Sequence, residues 1–201
     1  MVSVIRLPHH SSTRMPDRCF IAVDVDDPEV RAAILRAQRV LETTGADVRS
    51  DEGENVHITL RFLGEIPEAM SMRVATLVRG ISFTPLSLSF EGVGVFPAPS
   101  RPSVVWAGIE GDVPELLRVF TELEEWLKAL GFEPERRPFQ PHLTLCRVRS
   151  GRNRAQLMEA VWSMEGERFG QLRVVRIKLK KSVLTRAGPI YSNLAESKAA
   201  A

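Results

Sequence analysis

The sequence is poor in the features that mark several protein classes. Only two cysteines, Cys19 and Cys146, occur in 201 residues. Both sit in apolar, strand-like runs, which points to buried reduced thiols and a cytoplasmic setting rather than a disulfide framework. No apolar run approaches the ~18 residues that a membrane-spanning helix needs, so no membrane association is expected. Pro8, His9, His10, Ser11 and Ser12 interrupt the N-terminal stretch before a secretory apolar core can form. Charge is nearly balanced: 27 Lys and Arg against 25 Asp and Glu, a formal net charge of +2. That permits an anionic ligand without announcing a long nucleic-acid tract. Glycine-rich dinucleotide loops and Walker-type phosphate loops are missing, which removes support from nucleotide-binding folds. No serine sits in a strand-to-helix elbow of the hydrolase kind. No Asp, Glu or Cys stands at ligand spacing beside a strand histidine, so a metal site is not expected.

What is present is a four-residue phrase that occurs twice. It reads His57-Ile58-Thr59-Leu60 in the first third and His142-Leu143-Thr144-Leu145 in the last. Each copy lies in a strand-like run, and a strand sends alternate side chains to opposite faces. His57 and Thr59 then share a polar face, with Ile58 and Leu60 turned to a core. The second copy repeats this with His142 and Thr144 outward. Two such faces across a cleft would put an imidazole and a hydroxyl on each side of one small group.

The rest of the chain supplies supports for these strands. Residues 1–17 mix small, polar and proline residues and read as a flexible leader. A strand over 19–25 precedes a helix opened by Asp26-Asp27-Pro28-Glu29 and ended by Gly45. A second helix should run from Pro67 to Gly80. Strands are expected over 86–91 and 104–109, the latter centred on Trp106. A helix from Val113 to Gly131 carries Leu116, Leu117, Phe120, Leu123, Trp126, Leu127 and Leu130 on its inner side. Another over 154–163 turns Leu157, Met158, Val161 and Trp162 inward. Beyond Gly170 comes one long strand region, with Val175, Ile177 and Leu179 facing the core. There Arg176, Lys178 and Lys180 face water, as a solvated stripe in preference to an RNA contact. Residues 195–201 read as a flexible tail. Each half of the chain thus holds one motif strand with a helix behind it, which suggests two similar lobes.

Histidine titrates near neutrality, so two imidazoles form a natural acid–base pair. One removes a proton from a nucleophile while the other protonates a leaving oxygen. The threonine hydroxyls can donate to non-bridging phosphoryl oxygens where charge builds. Phosphorus suits such a pair, because attack and departure lie in line on opposite sides. The duplication alone leaves one alternative open: two merely similar strands.

Longer stretches carry a family resemblance. Arg18-Cys19-Phe20-Ile21-Ala22, Asn55-Val56-His57-Ile58-Thr59-Leu60-Arg61-Phe62-Leu63-Gly64, Gly94-Val95-Phe96-Pro97, Val105-Trp106-Ala107-Gly108 and Phe139-Gln140-Pro141-His142-Leu143-Thr144-Leu145-Cys146-Arg147 are the clearest segments. Leu179, Ser182, Leu184, Gly188, Pro189 and Tyr191 close the pattern. The sequence resembles the 2H phosphoesterases, and within them the RNA 2',3'-cyclic phosphodiesterases, also called 2'-5' RNA ligases. The resemblance implies an α+β fold of two pseudo-symmetric lobes, with mainly antiparallel sheets and outer helices flanking a central cleft. It implies one bilobal domain over 18–194, between the leader and the tail. It implies hydrolysis of a terminal 2',3'-cyclic phosphate to a 2'-phosphate, reversible 2'-5' joining of tRNA halves, and no obligatory cofactor or metal. By the same resemblance His142 is expected as general base and His57 as general acid, with Thr59 and Thr144 expected to hold the phosphate. Arg147, two positions past Leu145, and Arg61, two past Thr59, are candidates for additional phosphate contacts. The expected partner is RNA with a cyclic phosphate end, including tRNA halves, bound by a monomer. Two other readings are a phosphate-end binding module with little turnover, and a phosphodiesterase for a small cyclic nucleotide or ADP-ribose cyclic phosphate.

Overall fold

A computed structural model describes residues 16–50, 53–185 and 188–200. Strand β1 (Asp17–Asp24) leads to helix α1 (Pro28–Thr43), short strand β2 (Val48–Ser50) and strand β3 (His57–Ile66). Helix α2 (Glu68–Gly80), strands β4 (Leu86–Phe96) and β5 (Val104–Gly111) and helix α3 (Val113–Ala129) follow. The chain finishes with β6 (Leu143–Val148), α4 (Arg154–Ser163), β7 (Arg168–Val174), β8 (Arg176–Leu184) and β9 (Pro189–Lys198). These strands form a four-stranded sheet in the order β3-β1-β8-β9 and a five-stranded sheet in the order β2-β6-β5-β4-β7. Every pairing is antiparallel. The fold class is the expected α+β.

Local signals act where the sequence places them. The Asp27 carboxylate accepts from the backbone N–H groups of Glu29 and Val30 at 2.9 and 3.0 Å, capping α1 ahead of Pro28. Val30, Ala33, Ile34, Ala37, Gln38 and Leu41 recur at helical spacing and are buried. Gly45 adopts φ +68° just past the helix, a conformation that a side chain would strain. Gln38, the buried polar residue of that stripe, donates from Nε2 to the Leu145 carbonyl at 2.9 Å and ties α1 to a motif strand. Burial without a partner would have cost ~1–3 kcal/mol.

The route of the chain differs from the expected one lobe per half. Helix α1 follows β1 of the first sheet but packs on β6 and β7 of the second. Helix α2 packs on β9, β8 and β1. The long strand region beyond Gly170 is two strands that join different sheets, with the switch at Val175. Each sheet therefore draws on both halves of the sequence, because partners are chosen by long-range register that local alternation does not encode.

Four finer expectations are also corrected. Leu117 and Trp162 lie on outer faces, Trp162 being 58% exposed, while Val119 fills the inner stripe of α3 with Leu116, Leu123 and Leu127. Lys178 and Lys180 do not face water: both ammonium groups meet Asp24 on the adjacent strand, and Lys180 is buried. Residues 195–198 are not a flexible tail, since β9 pairs with β8 as far as Lys198 opposite Arg176. Ala195 and Ser197 are buried there, and Ala200 donates to the Phe83 carbonyl at 2.8 Å. Asp17, assigned to the leader, lies in β1 opposite Ile66; residues 1–15 lie outside the described residues.

Candidate active site

The motif strands have the alternation that their sequences imply. Ile58 and Leu60 are buried, as are Leu143 and Leu145, while His57, Thr59, His142 and Thr144 are half-buried. Strand β3 is an edge of the first sheet, β6 lies one strand in from an edge of the second, and the two pack together. Thr59, His142, Thr144 and Arg147 line one cleft of about 1100 Å³. His57 is not among the residues lining this cleft; it sits two residues before Thr59 on the same strand face, at the start of β3.

The two imidazoles are anchored alike. His57 Nδ1 lies 2.5 Å from the Asn55 carbonyl, and His142 Nδ1 lies 2.8 Å from the Gln140 carbonyl. In each case the acceptor is two residues earlier, so the same local turn recurs at both motifs. Only an N–H can engage a carbonyl, so each neutral ring carries its proton on Nδ1 and its lone pair on Nε2. Nε2 is then the nitrogen that takes up or delivers a proton. Aromatic rings steady both imidazoles. Phe20 and Tyr191 lie 4.9 and 5.5 Å from the His57 ring, the latter edge-on. Phe96 lies edge-on to His142 at 5.1 Å and is itself backed by Trp106 at 5.1 Å. Gly94 makes room for that indole: a Cβ there would sit 2.3 Å from a Trp106 ring carbon.

Electrostatics act on His142. Burial pushes the His142 imidazole below the ordinary histidine range, the Gln140 carbonyl opposes that shift, and the Arg147 cation adds to it. His142 is therefore biased to the neutral form. The cleft is basic: Arg101, Arg137, Arg147, Arg149 and Arg154 line it against one carboxylate, Glu135. None of these five arginines forms an ion pair among the described residues. Arg147 also stands directly opposite Arg49 across the β2–β6 ladder, where like charges repel unless an anion intervenes.

Arg61 is not among the residues lining the cleft. Its guanidinium turns into a polar cluster: Nε lies 2.8 Å from Glu124 of α3, an ion pair without hydrogen-bond geometry, and the terminal nitrogens donate to the Glu135 carboxylate and the Glu133 carbonyl. It thereby clasps β3 to the segment that leads into His142. Sequence reasoning gave no cleft role to Arg101, Arg137, Arg149 or Arg154, although Arg101 lay in the middle section of the resemblance and Arg137 in the basic approach to the second motif; they come from three separate stretches of the chain. It also gave no role to Phe20, Phe96 or Tyr191 at the imidazoles, although all three lay within stretches quoted for the resemblance.

Comparisons with known proteins agree with this architecture. The model of the LigT-like phosphoesterases matches residues 23–106 and 109–191. An RNA 2',3'-cyclic phosphodiesterase of Aeropyrum pernix is 40% identical over 167 residues, covering 83% of this chain and 95% of that one. Its counterpart in Methanothermobacter thermautotrophicus is 39% identical over 187 residues, covering 90% and 97%. Among solved structures, a Thermus thermophilus protein superimposes with a TM-score of 0.68 at 29% identity, covering 89% of this chain and 96% of its own. Escherichia coli LigT bound to 3'-AMP shares the fold with a TM-score of 0.75 at 23% identity, covering 92% and 99%. The chain therefore belongs to the LigT-like family of 2H phosphoesterases and is a phosphodiesterase.

Proposed function

We propose that the protein hydrolyses a terminal 2',3'-cyclic phosphate on RNA to a 2'-phosphate, with His57 and His142 as its acid–base pair. The observation that carries this reading is the matched anchoring of the two imidazoles on strands that meet at a basic cleft. Water attacks phosphorus opposite O3', and His142 Nε2 removes its proton. The P–O3' bond breaks, and His57 delivers a proton to O3'. The product carries a 2'-phosphate and a free 3'-hydroxyl. The downward bias on His142 favours the lone pair that a base needs at neutral pH. Thr59 and Thr144 donate to the non-bridging oxygens, and Arg147 offsets phosphate charge. With an RNA 5'-hydroxyl in place of water, the same displacement joins two ends, such as tRNA halves, through a 2'-5' bond.

The arginines beyond the histidine favour RNA over a cyclic mononucleotide, because they lie along the cleft where further backbone phosphates would run. Every residue invoked comes from one chain, so a monomer suffices. RNA ending in a 2',3'-cyclic phosphate should yield a 2'-phosphate without added metal. A folded protein that leaves this end intact between pH 5 and 8 refutes the proposal, and binding without turnover leaves a phosphate-end binding module. Log kcat/KM should fall with log salt more steeply for an oligonucleotide than for a cyclic mononucleotide, by ~0.7 per additional phosphate engaged. The roles separate with a substrate whose 3'-oxygen is sulfur. A thiolate leaves without an acid, so His57→Ala should recover activity on it and His142→Ala should not.

A further inference from the structure

The face of the first sheet that carries His57 also carries a buried and a half-buried lysine with one carboxylate between them. On β8, Lys178 and Lys180 pair in register with Ala22 and Phe20 of β1. Asp24, at the end of β1, is the cross-strand partner of His57 itself. Its carboxylate accepts from Lys178 Nζ at 2.8 Å through Oδ2 and from Lys180 Nζ through Oδ1. Lys180 is only 4% exposed, a rare state for an ammonium group.

The charges in this group do not cancel. Two ammonium groups share the Asp24 carboxylate, and the next acid on this face, Glu196, stands across the ladder from Lys178 and pairs with Arg176 at 3.9 Å, which leaves Lys180 short of negative charge. Burial acts to raise the Asp24 carboxyl, but the hydrogen bonds and charges of Lys178 and Lys180 outweigh it and hold the group ionised. Lys180 meets an aromatic face instead: its Nζ lies 5.6 Å from the centroid of the Tyr191 ring, within cation–π range. Tyr191 in turn stands edge-on to Phe20 at 5.0 Å and to His57 at 5.5 Å. The ammonium thus lies over a ring that stands perpendicular to the imidazole. An apolar side chain at position 180 would cover the same strand without the cost of burying a charge. A buried ion pair is weak evidence for stability, and its best-attested use is to select one geometry.

We propose that Lys180 and Asp24 are positioning residues for His57, acting through the Tyr191 ring. Lys180 fixes the tilt of Tyr191, and Asp24 fixes Lys180. With Phe20 and the Asn55 carbonyl, Tyr191 then confines the imidazole to one orientation. This rests on the reading of His57 as the general acid. Neither residue touches the substrate, so their removal should act on turnover more than on binding.

Lys180→Met keeps most of the stem and removes the charge, and Lys178 still neutralises Asp24, so the fold should persist. Asp24→Asn frees Lys180 from the other side and serves if the first variant does not fold. Either should lower kcat roughly 10- to 100-fold, the scale of a small misplacement at a reacting group, with KM within about twofold. Tyr191→Leu should be non-additive with Lys180→Met, because both break one relay. Imidazole ¹H–¹⁵N spectra provide a readout independent of turnover. The His57 signal, identified by its loss in His57→Ala, should shift or broaden in Lys180→Met while that of His142 stays in place. An unchanged His57 signal, or additive losses in the double variant, overturns the proposal. If the wild-type protein turns over no cyclic phosphate, the functional reading fails, and the spectra still decide whether Lys180 positions the ring.

Discussion

Arg61 permits a direct contest between two roles. Its place two residues past Thr59 suggests a phosphate contact, whereas the structure surrounds its guanidinium with Glu124, Glu135 and the Glu133 carbonyl. Replacing it with alanine would strand those carboxylates. Removing one partner of a fully buried ion pair costs about 3–5 kcal/mol. Here the partners differ: the Glu124 side chain is 16% exposed and that of Glu135 is 41% exposed. Glu135 can rehydrate, so its share falls to the surface value of at most about 1 kcal/mol. Glu124 is partly reached by water and retains roughly half of the buried penalty, which brings the total to about 2–3 kcal/mol. At ~2–4 °C per kcal/mol for a chain of this size, Tm should fall by about 5–10 °C. Thermal unfolding followed by circular dichroism measures this directly. Adding Glu124→Gln should recover part of the loss, since it removes the stranded charge. A Tm within about 2 °C of wild type, together with a KM raised about tenfold on cyclic-phosphate RNA, would refute the clasp and return Arg61 to the phosphate.

Other outcomes test the site. His57→Ala and His142→Ala should each lower kcat by ~10²–10⁴-fold, with substrate binding largely kept; Thr59→Ala and Thr144→Ala should cost less, as read by steady-state kinetics and equilibrium binding. Arg147→Ala removes a cation that disfavours the His142 imidazolium, so the His142 pKa should rise. A base must be neutral, so the acidic limb of kcat/KM should move to higher pH; a limb that stays in place or moves lower contradicts the assignment. For stability the sign runs the same way: His142 is depressed in the folded state, so its contribution is present above the ordinary histidine pKa of ~6.5 and is lost as pH falls through the depressed value. Gly94→Ala would drive a Cβ to 2.3 Å from the Trp106 ring. Overpacking of this kind should cost about 1–3 kcal/mol and lower kcat through Phe96 against His142, seen as a reduced denaturation midpoint and slower turnover.

The sequence by itself determined what short-range geometry controls. Period-two alternation assigned His57 and Thr59 to one face and Ile58 and Leu60 to the other, because adjacent strand residues must point oppositely. Asp27 and Pro28 marked the start of α1, because a carboxylate satisfies orphan N–H groups and proline has none to lose. The repeated phrase and its flanks indicated a phosphodiesterase family, which the relatives bear out. Only the tertiary structure decided the rest. Lys178 and Lys180 had the spacing of a solvated stripe, yet Asp24, 154 and 156 positions away, drew both inside. Arg61 had the spacing of a ligand, yet its carboxylate partners arrive from α3 and the following loop. The region beyond Gly170 had the pattern of one long strand, yet the chain changes sheets at Val175. In each case the outcome depended on which distant segment supplied the opposing hydrogen bonds or charge, and a local pattern carries no record of that partner.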